Sequence, residues 1–207
     1  MTKPRRLPRG VLVAFEGIDG SGKTTQATLL EGYLRGQGFE VSRSKEPTHG
    51  AWGMKLRASK SSGRMSPRDE LAHFINDRKE HVQSVIAPAL ARGAVVIIDR
   101  YYYSTVAYQG ARGLDPKELL AANRAFAPKP DLLVLLDVEP QVGLDRIHGR
   151  GDRHDLFENL TELTKAREIF LSLNEAHLLK LDGTLPAAEI HAAIVARLRQ
   201  GPLAGIG

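Results

Sequence analysis

Cysteine is absent from all 207 residues, which removes disulfides, thiolate zinc sites and a cysteine nucleophile from consideration. No apolar run approaches the roughly 18 residues of a membrane span. The N-terminus also lacks the apolar core of a signal peptide. The expectation is a soluble cytoplasmic protein without a membrane partner. Internal repeats and low-complexity linkers are missing, and tryptophan occurs once, as Trp52. Acidic residues are outnumbered, 24 against 29 basic ones, for a formal net charge of +5. Part of that excess is Lys3, Arg5, Arg6 and Arg9, ahead of the first apolar run. Residues 1–9 read as a solvated, mobile basic tail rather than a nucleic-acid arm, and no nucleic-acid partner is expected. A single α/β domain over residues 1–207 suits this length, and a hydrophobic fraction of 42% supplies its core.

What is present starts at Gly17-Ile18-Asp19-Gly20-Ser21-Gly22-Lys23-Thr24. This is G-x4-G-K-[ST], the loop that cradles the phosphates of a nucleoside triphosphate. Its context fits: the apolar run 11–15 precedes it as a buried strand should, and Ala27, Leu29, Leu30, Tyr33 and Leu34 follow at helical spacing. Gly17, Gly20 and Gly22 allow a tight fold in which backbone N–H groups, including those of Ser21 and Thr25, converge on one anion at a helix N-terminus. Lys23 would reach the outer phosphates and the Thr24 hydroxyl would hold Mg²⁺.

Strands and helices alternate from there on. Strands are expected at 39–45, 94–98, 132–136 and 178–181. Helices are expected at 22–37, weakly at 52–60, from Ser66 to about Arg92 with a late bend at Pro88, and at 115–126, 141–147, 156–177 and 186–199. Residues 101–112 read as a polar, tyrosine-rich segment, and 201–207 as a frayed end. The pattern predicts a five-stranded parallel sheet covered on both faces, a three-layer sandwich of the phosphate-loop NTPase type. Ligands in such sheets bind at the C-terminal strand edges, where the loop at Gly17, Glu46-Pro47, Asp99-Arg100 and Asp137 all fall.

The phosphate loop alone leaves kinase, GTPase, helicase and transporter ATPase open. Asn-Lys-x-Asp, which would read guanine, does not occur, nor does a strand ending in paired acids. Strand 94–98 ends instead in Asp99-Arg100. Asp99 could hold Mg²⁺ through water while Arg100 clamps a second phosphate-bearing substrate; the alternative is a solvated turn or a strand-end salt bridge.

With those pieces together, the chain resembles thymidylate kinase, a nucleoside monophosphate kinase family. The matching blocks run from Phe15 to Thr25, then through Lys45-Glu46-Pro47, Phe74-Ile75-Asn76-Asp77-Arg78, Asp99-Arg100-Tyr101, Ser104 to Gly110 and Asp182-Gly183. Ala107-Tyr108-Gln109-Gly110 beside Asp99-Arg100 is the most discriminating. The resemblance implies transfer of the γ-phosphoryl of Mg-ATP to dTMP, giving dTDP and ADP, in a homodimer. It implies that Phe74 stacks on thymine and Arg78, one helical turn on, donates to a thymine carbonyl. Ser104 would contact the base, Tyr108 would pack against the sugar C2′, and Gln109 would support that pocket. Asp19 would face the 3′-hydroxyl and monophosphate, Glu46 would orient Arg100, and Arg57 would be a further monophosphate partner. Adenine contacts are expected near Asp182-Gly183, largely from backbone.

Lys23, Mg²⁺ and Arg100 are three of the cations that phosphoryl transfer requires. The loop carries no arginine, so the fourth is expected from a hinged lid at about 146–156, with Arg150 and Arg153 as catalytic candidates, as in the bacterial class of the family. Two departures stand out: Thr48-His49-Gly50 replaces the usual Gly-Gly-Thr after Glu-Pro, and Asp155-Leu156-Phe157-Glu158 replaces Asp-Arg-Phe-Glu. The alternatives are a kinase of the same fold for another nucleotide or nucleoside, with Glu16 or Glu46 as a base, and a nucleotide-binding regulator without turnover.

Overall fold

Strand β1 (Val11–Glu16) is buried at every position. A strand buried on both faces cannot alternate polar with apolar, so it appears as a continuous apolar run. Its two sets of side chains enter two different cores. Val11, Val13 and Phe15 pack under Ala27, Leu30 and Leu34 of α1 (Lys23–Gly36) and Ile190, Ile194 and Leu198 of α9 (Ala187–Gln200). Leu12 and Ala14 face the other layer, where Val82, Ile86, Tyr102, Ala107, Leu163 and Phe170 lie. A computed structural model describes residues 4–149 and 160–205.

The sheet has five strands in the order β2-β3-β1-β4-β5, every pair parallel. Strands β3 (Val95–Asp99) and β4 (Leu132–Asp137) flank β1 and are almost wholly buried. The edges, β2 (Val41–Lys45) and β5 (Leu178–Asp182), carry the lysines and arginine of the sheet. Such charges discourage pairing with another chain. Helices α2 (Ala51–Ser62), α3 (Pro67–His81) and α4 (Ala87–Ala91) connect β2 to β3. Helices α5 (Tyr102–Ala111) and α6 (Pro116–Arg124) connect β3 to β4, and α7 (Pro140–His148) and α8 (Leu160–Leu171) lead to β5.

Four stretches differ from expectation. Residues 5–9, expected as a mobile tail, are held: Arg5 bridges Phe39, the Leu7 amide donates to the Gly93 carbonyl at 2.8 Å, and Leu7 is buried. Arg6 and Arg9 pair with Glu40 and Asp131. The departure from α geometry expected at Pro88 lies upstream, in a π-helical turn over Val82–Ile86 where the Ala87 amide donates to the Val82 carbonyl. Proline has no N–H and its ring crowds the turn before it, and the wider turn removes that conflict. The helix expected to reach 177 ends at Leu171. At the other end, Leu203 is buried with its amide on the Leu198 carbonyl at 2.8 Å, so the segment after α9 is not frayed there.

The tyrosine-rich segment is a helix with Tyr101, Tyr102 and Tyr103 fully buried. Their hydroxyls are satisfied inside: Tyr101 donates to the Pro128 carbonyl, Tyr102 to Tyr103, and Tyr103 meets His177 Nε2 at 3.1 Å. Tyrosine tolerates a core when its hydroxyl finds such a partner.

Glu16 is the polar exception in β1, with no exposure. Its carboxylate accepts the amides of Tyr101 and Ser104 at 2.9 and 3.0 Å, gripping the start of α5. Burial pushes its carboxyl up from 4.5 to about 7, against the hydrogen bonds and Arg100 that favour the charge. The folded state therefore holds this proton more tightly than the unfolded one. Between those two values stability falls as pH rises, by at most about 3 kcal/mol from this group. Glu16→Gln keeps the shape and removes the charge. Thermal unfolding should show the variant gaining on wild type from pH 5 to pH 8; a difference that does not change with pH would contradict a buried, titrating Glu16.

Candidate active site

The loop after β1 is wedged between β4 and α7. A Cβ on Gly17 would lie 2.3 Å from the Leu136 carbonyl oxygen, and one on Gly20 would lie 2.2 Å from that of Gly143. Both glycines have positive φ, so neither the space nor the backbone admits a side chain. The loop ends at Gly22, and no side chain caps α1. Its first amides are therefore open to an anion. Ser21 is buried, while Thr24 and Thr25 are exposed. Lys23 folds back, donating to the Ile18 carbonyl at 2.7 Å and to Ser21 Oγ at 3.2 Å. Burial lowers its ammonium to about 7, and Arg100 adds to the effect against Asp19, Asp99 and Glu16.

Parallel register sets Phe15 opposite Asp99, so the loop after β1 and Asp99-Arg100 after β3 share one corner. Arg100 pairs with Asp19, lies 5.2 Å over the Tyr108 ring, and has a left-handed backbone at φ 68. Burial works against its charge, yet Asp19 and the other neighbours hold it well above the ordinary arginine value. The Tyr108 hydroxyl donates to the second Asp19 oxygen at 2.9 Å. Burial, then Asp19, pushes that phenol up, so it stays protonated.

The Thr24 hydroxyl donates to Asp99 Oδ2 at 2.5 Å. Asp99 Oδ1 is buried without a partner. An orphaned carboxylate oxygen beside a hydroxyl is a hard-oxygen pair that suits Mg²⁺, which keeps water and substrate oxygens as its other ligands. Among the described residues no cluster of three or more acidic, histidine or cysteine ligands offers a competing cage.

A cavity of about 320 Å³ is lined by Asp19, Glu46, Arg57, Phe74, Arg78, Arg100, Ser104, Tyr108 and Gln109. The nine residues expected around a second substrate are thus brought together. Phe74 is half-buried and belongs to neither core, leaving its ring to the cavity. One pairing differs from the sequence reading. Glu46 does not orient Arg100; it is buried against Arg78, 2.6 Å from Nη2, and against His81, whose other nitrogen meets Ser44. Arg57 grips the Pro47 and Thr48 carbonyls. Arg78 also donates to Asn123 and Thr105, so four of its five N–H groups are engaged. Gln109 donates through Nε2 to Glu70, and its Oε1 is buried with no partner.

The Thr48 departure has a local cause: its amide and hydroxyl donate to Asp77 at 2.8 and 2.6 Å, tying this loop to α3. Trp52 packs edge-on against His73. A second cavity, about 410 Å³, lies on the other side of the loop, lined by Gly20, Gly22, Thr25, Gln26, Arg146, Gly183, Leu185, Ala187 and Ile190. Arg146, counted with the lid, is in α7 and donates to the Gly183 carbonyl at 3.0 Å. Arg150 and Arg153 lie outside the described residues. Sequence reading gave no role in the site to Glu70, His81, Asn123 or Thr105, and the acid closing the apolar run of β1 was the one available signal for Glu16.

A family model described as thymidylate kinase matches residues 15–194. The chain is 48% identical over 206 residues to a thymidylate kinase of Xylella fastidiosa strain M12, covering 97% of this chain and 94% of the relative. It is 50% identical over 195 residues to one of Xanthomonas campestris pv. campestris strain B100, covering 92% and 86%. It is 48% identical over 186 residues to one of Akkermansia muciniphila, covering 90% of each. With the phosphate loop, Asp99-Arg100 and the cavity beside them joined in one corner, these likenesses show that the chain belongs to the thymidylate kinase family.

Proposed function

We propose that the chain transfers the γ-phosphoryl group of ATP to dTMP, giving dTDP and ADP. The observation that carries the acceptor's identity is the orientation of Gln109. The Glu70 carboxylate can only accept, so it fixes the amide NH₂ and leaves Oε1, a buried atom of this cavity-lining residue, as an unfilled acceptor. Arg78, which lines the same cavity, has one N–H beyond the four engaged within the protein. A thymine edge offers N3–H next to the O4 acceptor and matches this pair, whereas cytosine reverses both. Phe74 supplies the stacking face. Asp19 serves the 3′-hydroxyl and Tyr108 the sugar, while Arg100 and Arg57 take the monophosphate.

On the donor side, Gly17, Gly20, Ser21, Gly22, Thr24 and Thr25 cradle the triphosphate, and the cavity at Gly183 and Arg146 receives the base. Lys23 exchanges Ile18 and Ser21 for the outer phosphates, where anionic oxygens restore its charge. Mg²⁺ held by Thr24 and Asp99 neutralises phosphate charge when bound. The acceptor oxygen of dTMP is already ionised, so no general base is required. Glu16 and Glu46 support this over a nucleoside acceptor, because each is committed to hydrogen bonds within the protein. Catalysis then rests on positioning and charge neutralisation by Lys23 and Arg100. A lid carrying Arg150 and Arg153 and a homodimer, both taken from the family resemblance, complete the reading, with the cytoplasmic setting expected from the sequence. Among the described residues no helix is long and apolar enough to cross a membrane.

Lys23→Ala should lower kcat by about 10²-fold or more in a coupled ADP assay while the circular dichroism spectrum is retained; near-normal turnover would remove Lys23 from catalysis. Phe74→Ala should raise KM for dTMP about tenfold or more, the loss of one stacking face, with KM for ATP unchanged. A rise shared equally by both substrates would place Phe74 in the fold rather than at the base.

A further inference from the structure

Glu16 closes β1 one residue before the phosphate loop, and Arg100 follows the end of β3 beside it. A chain of hydrogen bonds joins them. Arg100 Nη1 lies 3.3 Å from Ser104 Oγ, and Ser104 Oγ lies 2.5 Å from Glu16 Oε2. The second carboxylate oxygen, Oε1, takes the Tyr101 and Ser104 amides. Only one direction fits all the groups. A guanidinium cannot accept, so Ser104 Oγ accepts from Arg100 and its single hydrogen goes to Glu16. An ionised Glu16 presents at Oε2 the lone pair that this hydrogen needs. A proton or an NH₂ at that atom would set two donors against Ser104 Oγ and leave its hydrogen without this acceptor.

The backbone is held from the same place. Arg100 is the one non-glycine residue with positive φ among the described residues. A left-handed arginine persists only where its surroundings enforce it. Its amide is held by the Phe15 carbonyl at 2.9 Å, and the next residue's amide by Glu16. Ser104 lines the cavity, as expected, and is also the middle link of this relay.

We propose that Glu16 is a positioning residue for Arg100: its carboxylate sets the direction of the Arg100–Ser104–Glu16 relay and so aims the guanidinium at the acceptor phosphate. The β1 strand that presents the phosphate loop to ATP thereby also presents the clamp for the second substrate. This rests on the reading of Arg100 as that clamp.

The test is a double-mutant cycle in the full chain with Glu16→Gln, Ser104→Ala and the pair together, recording kcat and KM for dTMP and for ATP with a melting curve for each protein. Glu16→Gln should lower kcat/KM for dTMP about tenfold or more, the scale of a hydrogen bond to a charged group. KM for ATP should stay within about twofold, and melting at pH 8 should be no lower than wild type. Ser104→Ala should give a similar loss, and the double variant no more than the larger single loss, because one chain is broken once. Ser104→Thr, which keeps the hydroxyl, should retain activity. Wild-type kcat/KM for dTMP in Glu16→Gln, or losses that multiply in the double variant, would overturn the proposal. Turnover of dTMP by the unaltered chain, read in the same series, reports on the functional assignment separately.

Discussion

Two cations, buried Lys23 and partly buried Arg100, share one corner at the C-terminal edge of the sheet, and the charge of Arg100 makes that of Lys23 harder to hold. Three acids make the arrangement stable: Asp19 on Arg100, Asp99 beside Thr24, and Glu16 beneath the start of α5. In the proposed function each acid has a second part to play, towards the sugar, the metal and the aim of Arg100. The proposed phosphate site thus has its charges balanced internally until substrates supply the balance. That is why burial of Lys23 and Glu16, each moved to about 7, belongs at this place and not elsewhere in the core.

Parallel pairing is what brings that corner together. It puts the ends of β1 and β3 side by side, and the order β2-β3-β1-β4-β5 leaves a crevice where successive connections part to either side. Glycines at 17 and 20 press the loop against β4 and α7, so the helix α1 amides and the cavity at Gly183 and Arg146 are fixed relative to the sheet. The cavity proposed for the acceptor is lined from the other side by α3, through Phe74 and Arg78, and by α5, through Ser104, Tyr108 and Gln109.

Much of this was legible because it is local. The phosphate loop, the continuous apolar runs of β1, β3 and β4, and the capped start of α3 at Ser66 follow from short-range rules, and the structure has them. The residues proposed to hold the acceptor were legible only as blocks resembling a family, since Phe74 and Tyr108 line one cavity from distant parts of the chain. What stayed hidden is pairing between distant residues. Nothing local says that Glu46 turns to Arg78 and His81 instead of Arg100, or that Arg57 holds the loop at Pro47. Tyr101, Tyr102 and Tyr103 looked polar because their hydroxyl partners, Pro128 and His177, lie far along the sequence. Likewise Arg5 and Leu7 looked like a tail, since the Gly93 carbonyl and Phe39 that hold them are remote.

In the proposed function this corner joins ATP to a thymine monophosphate, chosen by an unfilled acceptor on Gln109 and a donor on Arg78. The decisive measurement is ADP formation with Mg-ATP and, separately, dTMP, dUMP, dCMP, dGMP and thymidine. Turnover should be rapid with dTMP, slight with dCMP, whose edge reverses donor and acceptor, and absent with thymidine, which lacks the phosphate for Arg100. Equal use of dCMP and dTMP, or a preference for thymidine, would contradict it.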